Sequence, residues 1–166
     1  MPMMLFRTFT ILLVALVTGL AFAHVLESPA KMQYEAAMYI ALQKSLYVQW
    51  GPPNVGGLIE PVAIISTALL AFFGRNTIRS LWLPLGALSA LLIGFPVVFF
   101  VLVAPANGVF MATTLSSIPV NWKVLRANWE LGHAIRFGLQ FTALSLLVLL
   151  SALDAKKDIA DTQRNG

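Results

Sequence analysis

The chain contains no cysteine. Disulfides, thiolate metal sites and cysteine nucleophiles are therefore excluded. Charge is the second shortage. Only 11% of the 166 residues are Asp, Glu, Lys or Arg, against roughly 25% in a soluble domain. There is no Gly-rich phosphate loop, no GxSxG, no dense basic run, no internal repeat and no low-complexity segment. The net charge of +4 does not point to nucleic acid. Lys and Arg collect at the ends of membrane spans, where anionic lipid and the positive-inside bias favour them. What is abundant is apolar: 58% of the residues are hydrophobic. That is a membrane-protein composition, and the length fits a single domain.

Four long apolar segments stand out. They run from about Leu5 to Leu26, interrupted only by Arg7, then Val55 to Gly74, Leu81 to Ala104, and Ala134 to Leu153. Each is near the ~20 residues a helix needs to cross a ~30 Å hydrocarbon core. A helix satisfies its own backbone, which lipid requires. The expected fold is an all-α membrane protein: a four-transmembrane-helix bundle over residues 1–153, with an extra interfacial helix between spans one and two. A polar tail, residues 154–166, follows and should fray. The first segment has a rival reading as a signal peptide, with Ala21-Phe22-Ala23 as the cleavage site. Apolar character continues through Val25 and Leu26, which favours a retained span. Cleavage after Ala23 would leave His24 as an amino-terminal copper chelator.

Between the first two spans, Ser28-Pro29 looks like a helix start, because Ser caps and Pro suits the first turn. From Ala30 to Trp50 no helix breaker occurs until Gly51-Pro52-Pro53. Tyr34, Tyr39, Tyr47 and Trp50 suit the headgroup zone. In the third span Pro96 should kink the helix, and "APANG", Ala104 to Gly108, should end it. Lys and Arg are nearly balanced on the two sides. Arg7, Arg75, Arg79, Lys156, Lys157 and Arg164 lie on one; Lys31, Lys44, Lys123, Arg126 and Arg136 lie on the other. If Arg126 and Arg136 face a buried site, the balance puts both termini in the cytoplasm.

In an up-down-up-down bundle the unusual residues share one end. His24 and Glu27 lie where span one finishes, Glu60 near the start of span two, and Asn107 where span three finishes. Trp122, Arg126, Trp129, Glu130, His133 and Arg136 lead into span four. Trp122, Arg126, Trp129, His133, Arg136 and Gln140 are spaced 4, 3, 4, 3, 4. At about 3.6 residues per turn they form one stripe, with Leu125, Leu131, Ile135 and Leu139 off it. In lipid such a stripe turns toward the bundle interior. Each residue also has a purely structural use. Trp anchors at interfaces and Arg snorkels, Arg126 and Glu130 can pair at i, i+4, and Glu60 before Pro61 suits a helix N-terminus.

Two chemistries fit such a pocket. His24 with Glu27, and Glu130 with His133, are i, i+3 pairs on two helices, a pattern that holds metals in bundle interiors. Iron, manganese, copper or zinc would suit these ligands, although Arg126 and Arg136 would oppose a cation. The other chemistry needs no cofactor. Trp122 and Trp129 offer flat walls, Asn107 and Glu60 add polar contacts, Arg126 and Arg136 stabilise an oxyanion, and His133 with His24 moves a proton.

"FAHVLESPAKMQ", "YVQWGPP" and "NWKVLRANWELGHAIR" together resemble a family of small four-span membrane proteins. Its characterised branch contains the fungal anthrone oxygenases. The W-x3-R-x2-W-x3-H-x2-R stripe after Asn121 is the most specific part, and the resemblance covers nearly the whole chain. It implies four transmembrane helices. By extension it implies a monooxygenase inserting oxygen at an activated aromatic carbon of a lipophilic substrate without metal or flavin. His133 and the arginines would then be base and oxyanion stabiliser. The partners implied are the lipid bilayer and a lipophilic small molecule, not nucleic acid. The alternative is a non-enzymatic accessory subunit, or a small-molecule or metal carrier with a His/Glu site.

Overall fold

The computed structural model describes residues 2–51, 54–114 and 116–165. Among them every regular element is helical. The order is α1 (Pro2–Lys31), α2 (Ala36–Ser45), a 3-10 turn (Tyr47–Gln49), α3 (Val55–Gly74), α4 (Ile78–Leu92), a π-helical stretch (Ile93–Val103), α5 (Ala104–Ala112) and α6 (Trp122–Asn165). The stretch from Ile78 to Ala112 is one continuous helix. Four helices are long and apolar enough to cross a membrane: Pro2–Lys31, Val55–Gly74, Ile78–Ala112 and Trp122–Lys156.

The long helices form a closed ring. α6 packs on α1, α4 and the π stretch, while α3 packs on α1 and α4. Contacts at the two ends fix the directions. Phe6 meets Phe73 with ring centroids 6.2 Å apart, and Arg7 pairs with Asp154 at 2.6 Å. At the opposite end His24 meets His133. So α1 runs antiparallel to both α3 and α6. Residues 75–77 are too few to recross the bundle, so α4 also reverses α3.

Side chains are distributed as lipid demands. The centre is built from Val14, Val17, Ala63, Ala87, Ala90, Ala143 and Leu147, mostly small residues that let helix backbones approach. Leu12, Leu16, Ile65, Phe72, Phe100 and Val101 point outward and are exposed. The inward hydroxyls bond their own helices. Thr10, Thr18 and Thr67 donate to the carbonyls of Phe6, Val14 and Ala63 at 2.9, 2.7 and 2.7 Å, so none is left bare in the interior.

Several local expectations are corrected. Ser28-Pro29 does not start a helix. α1 runs through it to Lys31, because the last turn is held from outside: Arg126 donates to the Lys31 carbonyl at 3.2 Å. Consequently Ala30–Trp50 is not one helix but the end of α1, a turn, α2 and the 3-10 turn. Pro52 and Pro53 lie outside the described residues. Pro96 lies in the π stretch, whose wider turns absorb a missing backbone donor. "APANG" does not end the helix, which continues to Ala112. Finally, α6 begins at Trp122 and stays helical through Asn165, where fraying was expected.

Candidate functional site

α6 carries its polar stripe inward. Arg126, Trp129, His133, Arg136 and Gln140 are all buried, while Leu131 and Ile135 are exposed. A helix with its leucines outward and its arginines inward is inverted relative to a soluble one, as expected with lipid as the solvent.

The two histidines of the chain meet there. The imidazole centroids of His24 and His133 are 4.0 Å apart, with their planes tilted by 38°. Aromatic rings surround the pair. Trp129 lies 4.2 Å from His133 and edge-on to His24 at 5.0 Å. Tyr47 and Trp50 each lie 5.0 Å from His24. Trp129 is fixed in turn, since its indole N–H donates to Asn107 Oδ1 at 2.7 Å. This contact explains why Asn107 does not stop its helix: its side chain is committed across to α6 rather than back to its own backbone.

These groups border a cavity of about 220 Å³. Its wall combines His24, His133, Tyr47, Trp50, Trp129, Phe95 and Phe99 with Gln43, Asn107, Glu60 and Arg136. Gln43 comes from α2, so the short helix closes one side. Its side-chain nitrogen is buried beside the Tyr39 hydroxyl and makes no hydrogen bond of normal geometry among the described residues.

On the α3 side, each carboxylate oxygen of Glu60 accepts one hydrogen bond. Arg136 Nη2 meets Glu60 Oε2 at 2.5 Å, and Gln140 Nε2 donates to Oε1 at 2.8 Å. The guanidinium of Arg136 also lies over the Phe99 ring at 5.3 Å. A second network lies toward α2. Lys31 Nζ is 3.0 Å from Glu130 and 3.8 Å from Glu27, above the rings of Trp129 and Tyr47 at 4.7 and 4.9 Å. Tyr39 donates to Glu130 at 3.1 Å and Tyr47 to Glu27 at 2.7 Å. Burial first, and then the Glu130 charge, push the Tyr39 phenol well above its ordinary value. Burial and the hydrogen bond to Glu27 do the same to Tyr47. Both hydroxyls therefore stay protonated and serve as fixed donors.

No family model matches this chain, and no curated protein or solved structure does either.

Of the residues singled out from the sequence, His24, His133, Trp129, Asn107, Glu60 and Arg136 share the cavity wall. Arg126 and Trp122 are not in that wall. Arg126 donates to the carbonyls of Lys31 and Tyr34 at 3.2 and 2.9 Å, with its guanidinium 4.6 Å from the Trp122 ring. It ties the end of α1 to α6, which is a structural position rather than one facing a bound molecule. The metal set His24, Glu27, Glu130 and His133 is not assembled either. Lys31 pairs with both carboxylates, and among the described residues no three His, Asp or Glu side chains are grouped to hold a metal ion.

Sequence reasoning missed Lys31, Gln43, the π-stretch phenylalanines and Gly56. Gly56 is the closest approach in the site. A Cβ there would collide with the Trp50 backbone carbonyl and with Leu20 at 2.9 Å. Only a residue without a side chain lets α3 pass under the Tyr47–Trp50 turn. Gly56→Ala is expected to destabilise the protein by about 1–3 kcal/mol through overpacking. Thermal unfolding in detergent, wild type beside variant, measures it.

Proposed function

We propose that this is a membrane monooxygenase that oxidises a lipophilic, anthrone-like aromatic without a cofactor. One observation carries the reading. Two buried imidazoles, their Nδ1 atoms without hydrogen-bond partners among the described residues, face an aromatic-walled cavity of about 220 Å³. Such a cavity suits a flat apolar ring system. An imidazole with an uncommitted nitrogen is a base ready for a weakly acidic C–H. The resemblance of the α6 stripe to the anthrone-oxygenase-like family points the same way.

The chemistry needs only a base, a donor for the substrate carbonyl and dioxygen. A histidine, His133 first with His24 beside it, takes a proton from the methylene carbon. The electron pair left on carbon is delocalised into the ring carbonyl, where the Gln43 amide donates a hydrogen bond. The carbanion reduces O2, a C–O bond forms, and the imidazolium returns the proton to give a hydroperoxide. The second methylene hydrogen then leaves as a proton, the O–O bond breaks, and water departs, leaving a carbonyl. One anthrone and one O2 give one quinone and one water. Trp129, held by Asn107, and Tyr47 with Trp50 position the ring. Arg136 is neutralised by Glu60, so the full-charge oxyanion role expected of it passes to Gln43.

In this reading α2 and the Tyr47–Gln49 turn lie at the headgroup level over the cavity, and both termini are cytoplasmic. The charge distribution supports that orientation. At the cavity end Lys31, Arg126 and Arg136 are consumed in buried contacts, whereas Arg75 and Arg79 at the other end are exposed, as the positive-inside bias favours.

The test is oxygen uptake by purified protein in nanodiscs with anthrone as substrate. One O2 should be consumed per anthrone, with quinone formed, no free peroxide, and a rate unchanged by chelators. No uptake across a series of anthrones, or uptake that follows bound metal, would overturn the proposal. Tight anthrone binding without turnover would instead favour the carrier reading.

A further inference from the structure

Beside the main cavity lies a second, much smaller chamber of about 30 Å³. Val17, Leu20, Ala21 and Gly56 form its apolar wall. The rest is polar: His24, His133, Glu60, Arg136 and Gln140. A space of this size accommodates a water molecule, which needs roughly 10–15 Å³ on this scale and two to four polar partners. It is too small for any organic ligand.

Four of the five polar side chains keep a buried atom with no protein partner among the described residues. These are His24 Nδ1, His133 Nδ1, Arg136 Nε and Gln140 Oε1. A bare buried donor or acceptor costs about 1–3 kcal/mol, so a partner that serves several of these side chains at once is favoured. The set is chemically mixed: a guanidinium donor, an amide acceptor and two imidazole nitrogens, each donor or acceptor according to tautomer. Water, which donates twice and accepts twice, matches a mixed set. Dioxygen, which bonds to none of them, does not.

We propose that this chamber is a water-binding site, and that its water links the histidine pair to Glu60 as a proton relay. The proposal rests on the oxygenase reading for its use but not for its existence. Among the described residues, Glu60 is the only acid in the wall of either chamber. It bonds Arg136 and Gln140 on α6 and shares the chamber wall with His24 on α1 and His133 on α6. Lys31 stands one layer further out, over Trp129 and Tyr47. When an imidazolium has formed, its N–H bond breaks toward the water, and the water passes a proton to the Glu60 carboxylate. The proton waits there while the carbanion meets O2, then returns by the same route to the peroxide. No redox partner is required, and Arg136 stays beside the carboxyl group throughout.

The chain has only two histidines, so histidine 15N labelling reports the two rings alone. In nanodiscs, magnetisation transfer from slowly exchanging water to both imidazoles is expected in solid-state NMR spectra. Ala21→Val should abolish it, because Ala21 borders the small chamber and not the large one. Val17→Ile, one helical turn earlier, fills the same space more gently and should weaken it. Absence of the water signal on both rings of the wild type, or an unchanged signal in both variants, overturns the site. This measurement needs no turnover, so it stands apart from the fate of the oxygenase proposal. In active protein, the uptake rate should fall along a curve as the D2O fraction rises, and along a straight line in Ala21→Val. A straight line in the wild type overturns the relay.

Discussion

Glu60→Ala is expected to destabilise the bundle by about 3–5 kcal/mol, the range for removing one partner of a buried ion pair. The variant would leave the Arg136 guanidinium, 7% exposed, without its carboxylate, and the Gln140 amide without its acceptor. The magnitude separates two readings of Glu60. A carboxylate placed only to suit the start of α3 would contribute about 0.3–1 kcal/mol, so a loss that small would sink the buried-pair account. Glu60→Met combined with Arg136→Met should recover much of the loss, because it removes both charges together. Unfolding titrations in one detergent, with wild type, both single variants and the pair, close the cycle.

His133→Ala is expected to lower anthrone-dependent oxygen uptake by about 100- to 10,000-fold, the contribution of a positioned general base. Substrate affinity should change little, since Trp129, Tyr47 and Trp50 still provide the walls. The loss should therefore fall on kcat rather than on KM. His24→Ala should cost less if His133 alone takes the proton, because His24 then only flanks it. The same variant checks the wall: folding measured by unfolding midpoint should stay close to wild type. Uptake within a few-fold of wild type in His133→Ala would remove the imidazole from the mechanism.

Much of this site was legible in the sequence, for a physical reason. The α6 stripe from Trp122 to Gln140 follows the helical period, and a polar stripe beside an apolar one has one stable orientation in lipid. The up-down order of four apolar segments then carried His24 and His133 to one end. What could not be read was partner choice. Arg126 lies on the stripe, yet its partners are two backbone carbonyls at a turn that the sequence presents as the start of a helix. Asn107-Gly108 has the composition of a helix stop, and only the distant Trp129 indole overrides it. Lys31 looked like a face-counting charge, whereas two carboxylates from different helices bury it. Gln43 was invisible because α2 has no clear polar side.

The π-helical stretch from Ile93 to Val103 works as a phase shifter between the two halves of the third long helix. Before it, α4 is indexed to the alanine seam of the bundle; within and beyond it, Phe99, Val103 and Asn107 are indexed to the cavity. Losing one residue from its first wide turn would swing every later side chain by about 100°. Phe99 would leave Arg136, and Asn107 would leave the Trp129 indole, while the seam beneath kept its register.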